Sequence, residues 1–310
     1  MGIFFTITIV VVLLVAVPIV AGHVAFSVTP QPSKRTPESL GLAFQDIYFR
    51  NANNEVLHGW WIPHSEASKE EPCPTLVFVH GWGRNCERML PYMDACRDLP
   101  VNLLAIDVRG HGENAKNNFI TEVGIADDIN AAIDWLVLQP GVDIQRIGLM
   151  GHSFGAAATI MESSRDKRIA AFVADGSFAN PMDILKEMME SKKVPYIPLG
   201  WLIRQYIQMR LNATFDQIAP ENRITSTQSP GLLIHGDKDP VIPVEDSHRI
   251  LGNAGENVQL WIANGCDHSN TPEHPDFQNV LRNFLRQSLI DLPPAPGDSP
   301  AEEHFSPIVN

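Results

Sequence analysis

The strongest chemical signal in this sequence is the segment Gly151-His152-Ser153-Phe154-Gly155. It follows the apolar run RIGLM and precedes the small-residue run AAATIMESS, which predict a strand and a helix. A serine at a sharp turn from strand to helix is exposed as a nucleophile, and the helix N-terminus directs N–H groups toward developing negative charge. We therefore interpret Ser153 as a nucleophile; the alternative is an ordinary helix-capping serine.

A serine hydroxyl is a weak nucleophile unless a base lies near it. Among the eleven histidines, His268 follows the last strand-like run, VQLWIA, and loops at the carboxyl edge of a parallel sheet meet at one site. We predict His268 as the base. His274 is the main competitor, but it precedes Pro275 and favours a helix start. His80 and His235 stand at strand ends, where we interpret them as structural or loop-shaping residues.

The base in turn needs a carboxylate that fixes its tautomer. The run GLLIHGDKDPVIP offers Asp237 and Asp239 just beyond a strand end, and Asp175 ends another strand. We rank Asp239 first, Asp175 second and Asp237 third. The order Ser153, Asp239, His268 along the chain is the order expected when the nucleophile stands at such a strand-to-helix turn.

Two N–H donors must stabilise the oxyanion of such a reaction. One is predicted to be the backbone N–H of Phe154, directly after the nucleophile. The other is predicted to be the N–H of Trp82, in the loop His80-Gly81-Trp82-Gly83 that follows the strand-like run TLVFVH.

The cysteines and histidines give no sign of a metal site. None of the four cysteines forms a CxxC pair, and no Cys/His cluster has zinc spacing. We expect free thiols packed as small apolar residues, although Cys86 and Cys96 could form a disulfide in an oxidising compartment. The formal net charge of −13 argues against a nucleic-acid partner.

Alternation of apolar runs and helical patterns predicts a mostly parallel, doubly wound α/β sheet. A hairpin turning at Asn53–Asn54 precedes it. The predicted strands are 75–80, 101–108, 146–150, 169–174, 231–236 and 258–263, and the predicted helices are 85–98, 122–138, 154–164, 244–253 and 275–289. The long gap between the fourth and fifth of these strands carries two amphipathic helical patterns. We interpret it as a helical cap at about 177–225, rather than as extra core helices.

The first residues form an uncharged run from Ile3 to Ala21, and a helix of this length approaches the thickness of the hydrocarbon core of a bilayer. We predict a membrane anchor over 1–22, with a cleaved signal peptide as the alternative. A linker over 23–42, a catalytic domain over 43–290 and a disordered tail over 291–310 follow. Lys34 and Arg35 weakly favour a cytoplasmic catalytic domain by the positive-inside rule.

From about Ala43 to Leu289 the chain resembles the α/β-hydrolase superfamily, in particular its membrane-anchored ABHD (α/β-hydrolase domain) type and their bacterial relatives. The strings that carry the resemblance are HGWGRN, DVRGHG, GHSFG, HGDKDPVIP and CDHS. The resemblance implies esterase, lipase or thioesterase activity on a small-molecule or lipid ester, without a cofactor. One departure concerns the loop after RGHG, where the family often has Ser and this chain has Glu113-Asn114.

By position, the resemblance implies that Ser153, Asp239 and His268 form the triad and that Trp82 and Phe154 form the oxyanion hole. An amidase or peptidase with the same triad is the second hypothesis. A non-catalytic membrane-bound partner protein is the third. Apolar side chains of the cap indicate either an acyl pocket or plain packing; they are Tyr196, Ile197, Leu199, Trp201 and Tyr206.

Overall fold

The structure, a computed structural model, describes residues 27–292 except Asn118, together with the isolated residues Phe5, Ala16 and Val20. Apart from those three isolated residues, the anchor predicted over 1–22 lies outside the described residues. So does the predicted tail beyond Leu292. Within the described ranges, no helix combines the length and the apolar character that a membrane span requires.

The described residues form one eight-stranded sheet with the order β1-β2-β4-β3-β5-β6-β7-β8. Strands β3 to β8 run parallel, and the hairpin of β1 and β2 pairs antiparallel with β4. This confirms the predicted hydrolase-type sheet. The strands are β1 Gln45–Arg50, β2 Val56–Ile62, β3 Cys73–Val79, β4 Asn102–Ile106, β5 Val142–His152, β6 Ile169–Asp175, β7 Gly231–Gly236 and β8 Val258–Ala263.

Helices cover both faces of the sheet. The α-helices are α1 Leu90–Cys96, α2 Glu122–Leu136, α3 Phe154–Ser163, α4 Pro181–Ser191, α5 Trp201–Leu211, α6 Phe215–Ile218, α7 Pro220–Arg223, α8 Val244–Asn253 and α9 Phe277–Leu285. Short 3₁₀ segments span Pro37–Leu40, Cys86–Met89, Ile224–Ser226 and Thr271–Glu273, and π-type turns span Tyr196–Gly200 and Arg286–Ile290.

Strand β3 shows why the sheet is buried on both sides. Its successive side chains point to opposite faces, because the side-chain period of a strand is two residues. Leu76 and Phe78 enter the apolar cluster that α1 and α9 form on one face. Val77 and Val79 enter the cluster formed with α2, α3 and α8 on the other. The continuous apolar run of β3 is thus the signature of a doubly wound sheet.

The segment between β6 and β7 folds into helices α4 to α7, which pack on the second of these clusters. Arg249 of α8 joins this segment to the sheet domain. Its guanidinium lies 2.8 Å from Asp183 of α4 and 2.8 Å from Glu221 of α7. The predicted insertion is therefore built of helices and is held to the domain by ion pairs.

All four cysteines are free in this structure. Cys86 and Cys96, the pair considered for a disulfide, are buried. Burial raises the pKa of both thiols, that of Cys96 to about 12. They therefore pack as protonated, apolar side chains.

Candidate active site

Ser153 stands at the turn between β5 and α3 with φ 58° and ψ −120°. A non-glycine residue with such a backbone conformation is strained, and such strain concentrates at functional sites. The turn is fixed to the neighbouring strand, because the Ser153 N–H donates to the Asp175 carbonyl at 2.8 Å. The side chain is 9% exposed. The predicted strand-to-helix elbow is therefore present at this position.

Glycines flank this elbow because the backbone passes very close to its neighbours there. A Cβ atom at Gly155 would collide with the carbonyl oxygens of Val79 and His80, at the end of β3. A Cβ atom at Gly151 would collide with the backbone of Gly155. Both positions therefore exclude a side chain if α3 is to start where it does.

His268 and Asp239 form a hydrogen-bonded pair in the loops after β8 and β7. The distance between His268 Nδ1 and Asp239 Oδ2 is 2.7 Å. Since the carboxylate accepts, Nδ1 carries the proton and Nε2 remains free to act as a base. The other carboxylate oxygen, Oδ1, accepts the N–H groups of Val241 and Ile242 at 2.7 and 2.9 Å.

Asp239 is held in its charged form. Burial alone would raise its pKa, but hydrogen bonds from His235, His268 and the Ile242 N–H hold the pKa of Asp239 well below its usual range. His235 Nε2 lies 3.3 Å from Asp239 Oδ2 and 2.9 Å from the Ile242 carbonyl oxygen. A permanently ionised carboxylate suits the role of orienting a base.

His152 fixes the loop that carries His268. Its Nε2 lies 2.7 Å from the His268 carbonyl oxygen, so that this nitrogen carries the proton and donates. Arg88 donates to the next carbonyl, that of Ser269, at 2.9 Å. Burial, with Arg88 and His268 nearby, holds the pKa of His152 well below its ordinary value. A neutral His152 therefore holds the loop in place through its hydrogen bond to the His268 carbonyl.

The competing candidates occupy other positions. Asp175, second in rank as the acid, is buried and accepts hydrogen bonds from the hydroxyls of Tyr92, at 2.7 Å, and Thr271. Asp237 accepts the N–H of Gly265. His274 packs its ring against Trp261 instead of facing a carboxylate of the sheet edge.

Ser153 and His268 lie in the wall of one cavity of about 480 Å³. Trp82 and Phe154, the two residues predicted to supply oxyanion donors, line it as well. Phe154 is the first residue of α3, and the first N–H groups of a helix have no acceptor within it. The structure thus brings all five predicted site residues to one region, Asp239 behind His268 and the other four at the surface of the cavity.

A second cavity, of about 220 Å³, adjoins the first. The two share the lining residues Trp82, Phe154, Ile184 and Met188. The rest of the second cavity is lined by α2 and cap residues, namely Thr121, Glu122, Pro181, Leu185, Ile207, Leu211, Phe215 and Ile218.

The apolar cap residues named from the sequence lie elsewhere. Ile197 is 74% exposed and Trp201 is 47% exposed. Tyr196, Leu199 and Tyr206 pack against the core, which is the alternative interpretation given above.

Comparison with known proteins places this arrangement in a family. The sequence profile described as "Alpha/beta hydrolase family" matches residues 76–278, well over half of the chain. This chain belongs to the alpha/beta hydrolase family. The match spans all five site residues named above, and it contains the cap.

Two similar proteins cover most of this α/β hydrolase. The uncharacterized protein YfhR of Salmonella typhi is 26% identical over 261 residues, which are 80% of this chain and 80% of that protein. The structure of the Pyrococcus furiosus esterase Pf2001 has a TM-score of 0.66 and 26% sequence identity, and the alignment covers 85% of this chain and 98% of that one.

A third similarity concerns a larger protein. The acylaminoacyl peptidase of Pyrococcus horikoshii has a TM-score of 0.65 at 18% identity. The alignment covers 83% of this chain but 44% of the peptidase. At that identity the likeness shows a shared fold.

The loop after RGHG differs from the family's frequent sequence, and Asn114 closes it in this α/β hydrolase. Its side-chain oxygen accepts the His58 N–H at 2.8 Å, and its Nδ2 donates to the Asp107 carbonyl at 2.6 Å. The amide therefore ties this loop to β2 and to the end of β4.

One group of potential metal ligands occurs among the described residues, formed by His58, Cys86 and Asp107. Its carboxylate is already engaged, since Asp107 accepts from His58 Nδ1 at 2.8 Å and from the N–H groups of Cys86 and Glu113 at 2.8 and 3.1 Å. These bonds outweigh burial and lower the pKa of Asp107 to about 2. The group ties loops together, and we assign no metal to it.

Sequence reasoning did not identify three features of this hydrolase: the contact of His235 with Asp239, the bracing by His152, and the burial of Glu122. His235 carried a usable signal, because its motif places it four residues before the acid at a strand end. Glu122 carried none, since a glutamate at a helix start usually faces solvent and the helix dipole favours it there.

Proposed function

We propose that this protein is a serine hydrolase that cleaves carboxylic esters through an acyl-enzyme. Ser153 is the nucleophile, His268 the general base and Asp239 the carboxylate that orients it. The observation that carries the proposal is the common cavity of Ser153 and His268, with Asp239 hydrogen-bonded behind the histidine. The similarity to an esterase over most of the chain supports the ester specificity.

In the first step Ser153 Oγ attacks the ester carbonyl carbon while His268 Nε2 takes the hydroxyl proton. The carbonyl oxygen becomes an oxyanion that the N–H groups of Phe154 and Trp82 stabilise. His268 then protonates the leaving alkoxide, and the alcohol departs. Water attacks the acyl-enzyme with the same proton transfers, which releases the acid and restores Ser153.

The test uses p-nitrophenyl esters of increasing chain length with wild type and Ser153→Ala. Loss of the nucleophile lowers kcat by about a millionfold in a comparable triad. Ser65→Ala, in the exposed loop after β2, is the matched control and should keep full activity. A fluorophosphonate probe should label wild type at Ser153, as identified by mass spectrometry of the labelled peptide. Hydrolysis that survives in Ser153→Ala, or labelling of another serine, would overturn the assignment.

An amidase or peptidase is the second candidate function, because the same triad serves both reactions. The observation in its favour is Glu187, whose side chain lines the cavity of Ser153. Burial and the negative charges of Asp246 and Asp239 raise the pKa of this carboxyl. A cationic amine beside Glu187 would stabilise the charged form of the carboxyl. A panel of aminoacyl anilides run beside the esters decides between the two. Faster cleavage of the anilides would favour the peptidase.

A further inference from the structure

The second cavity is a nearly apolar chamber with one carboxyl group in its wall. Its lining combines the cap helices α4, α5 and α6 with the first turn of α2. Its volume of about 220 Å³ exceeds that of an engineered apolar cavity, about 150 Å³, which stays dry and binds benzene. A chamber of this size and character is suited to a hydrocarbon group.

The chamber lies where the acyl chain of an ester bound at Ser153 can reach it. It adjoins the cavity of Ser153 through Trp82 and Phe154, the two residues assigned to the oxyanion hole. The rings of these two residues lie 5.3 Å apart between centroids. An acyl carbon chain attached to the carbonyl that binds these N–H groups can therefore extend into the chamber.

Glu122 is the unusual member of the lining. Its side chain is 3% exposed, and Oε1 is buried without a hydrogen-bond partner among the described residues. Burial raises the pKa of this carboxyl to about 7. A buried polar atom without a partner is destabilising by about 1–3 kcal/mol, so that such an atom in the wall of a ligand-sized chamber marks a place for a ligand's polar group.

We propose that this chamber receives an acyl chain that carries a hydroxyl group toward its far end, and that Glu122 hydrogen-bonds to that hydroxyl. The inference rests on the proposed function, since it assigns the acyl half of the ester cleaved at Ser153. The unpartnered Oε1 needs a donor, and an aliphatic hydroxyl is a small neutral group that both donates and accepts.

A hydroxyl fits the chamber better than an ammonium group does. Apart from Thr121 and Glu122, the lining is supplied by aromatic, aliphatic, proline and methionine side chains. The Thr121 hydroxyl already accepts the N–H of Gly124 at 3.2 Å. Desolvating an ammonium ion requires several strong partners, and one carboxyl does not supply them.

The primary test measures binding of the product acids to the full chain by titration calorimetry, which does not depend on catalysis. Matched pairs of unbranched fatty acids are compared, each with and without an ω-hydroxyl group. For the chain length that fills the chamber, the hydroxy acid should bind wild type about tenfold more tightly, which is the effect of one hydrogen bond. Equal or weaker binding of the hydroxy acid at every chain length would overturn the proposal.

Two substitutions at Glu122 sharpen this test. Glu122→Leu should reverse the preference, because an apolar side chain replaces the carboxyl whose Oε1 has no hydrogen-bond partner among the described residues. Glu122→Gln should keep a preference for the hydroxy acid, since an amide also donates and accepts. Glu66→Gln, in the exposed loop after β2, should bind both acids as wild type does. A preference that persists in Glu122→Leu would exclude this carboxyl as the recognising group.

Kinetics with the corresponding p-nitrophenyl esters separates this proposal from the function on which it rests. If esters are cleaved, kcat/KM should favour the hydroxylated chain in wild type and the plain chain in Glu122→Leu. If no ester is cleaved but the binding preference is present, the proposed ester specificity fails and the ligand assignment stands. If esters are cleaved without any preference, the ligand assignment fails and the esterase stands. An ω-amino acid that binds best would replace the hydroxyl by an ammonium ion and overturn the proposal as stated.

Discussion

His235 Nε2 lies 3.3 Å from Oδ2 of Asp239, the same carboxylate oxygen that His268 Nδ1 contacts at 2.7 Å. The candidate acid therefore stands between two imidazoles. His235 is fully buried, and its Nδ1 lies 2.6 Å from the Ser247 hydroxyl. Burial alone would lower the pKa of His235, but the hydrogen bonds to Asp239 and to the Ile242 carbonyl raise it above its ordinary value. We interpret His235 as a positioning residue for the acid.

Replacing His235 should impair turnover more than substrate binding. His235→Phe removes a hydrogen bond to a charged group, for which the loss is about 1.5–3 kcal/mol, or roughly tenfold to a hundredfold in kcat. KM for a short ester should stay near that of wild type, because His235 is not among the residues lining the candidate site. His235→Gln, which keeps an N–H donor, should recover much of the loss. Equal kcat values for wild type and His235→Phe would contradict this role.

The two buried aspartates at neighbouring strand ends should respond differently to the same change. Asp239→Asn is expected to lower kcat by about ten-thousandfold, the loss seen for an orienting carboxylate in a comparable triad. Asp175→Asn should alter kcat little but lower the melting temperature, since that carboxylate holds the hydroxyls of Tyr92 and Thr271. Steady-state kinetics and thermal denaturation of both variants provide the comparison. A larger kinetic loss in Asp175→Asn would move the acid to the end of β6.

The loop that carries the base should depend on His152. His152→Phe removes the hydrogen bond to the His268 carbonyl and should lower kcat by about tenfold, with faster amide hydrogen exchange in the loop after β8. His248→Phe, on the exposed side of α8, is the matched control and should change neither quantity. Unchanged exchange in the loop would show that His152 does not brace it.

The stability of the protein should carry a pH-dependent contribution from Glu122. Its pKa is raised from 4.5 to about 7 by burial, so the folded state binds this proton more tightly than the unfolded state does. The resulting stabilisation is complete below about pH 4.5 and is lost as the pH rises through about 7; the full difference amounts to about 3 kcal/mol. Glu122→Gln removes this titration.

Urea denaturation between pH 5 and about 8 checks this expectation. The difference in unfolding free energy between Glu122→Gln and wild type should shift in favour of the variant as the pH rises. Ser65→Ala, an exposed and non-titrating control, should give a difference that does not vary with pH. A difference independent of pH for Glu122→Gln would mean that the carboxyl titrates normally.

The sheet could be predicted from the sequence because parallel strands buried on both faces produce continuous apolar runs. β7 and β8 have the predicted bounds, 231–236 and 258–263. β5 begins at Val142, four residues before the predicted start. The prediction missed these residues because several of them, such as Asp143 and Gln145, are polar and partly exposed. Hydrophobic pattern therefore locates the buried part of a strand and misses its solvated end.

The sequence predicts that the cap is helical, but it does not predict which side of each cap helix meets the cavity. An amphipathic pattern identifies apolar residues, whereas the side of the helix that meets a cavity depends on the packing of neighbouring helices. Ile197 and Trp201 were thus reasonable candidates for an acyl pocket and are instead exposed. The contribution of Glu122 to that pocket depends on α2 meeting the cap, a long-range relationship that no local pattern encodes.

Gly151 and Gly155, on either side of Ser153, constrain the evolution of this chain as well as its chemistry. They are required by the seating of α3 against the end of β3, since a Cβ at Gly155 would strike the Val79 and His80 carbonyls whatever side chain stood at position 153. A duplicated copy of this chain that lost its serine, and with it hydrolysis, would still have to keep both glycines in order to fold. In such non-enzymatic descendants both glycines should be retained after the serine is lost, and their spacing would identify the position that the nucleophile once occupied.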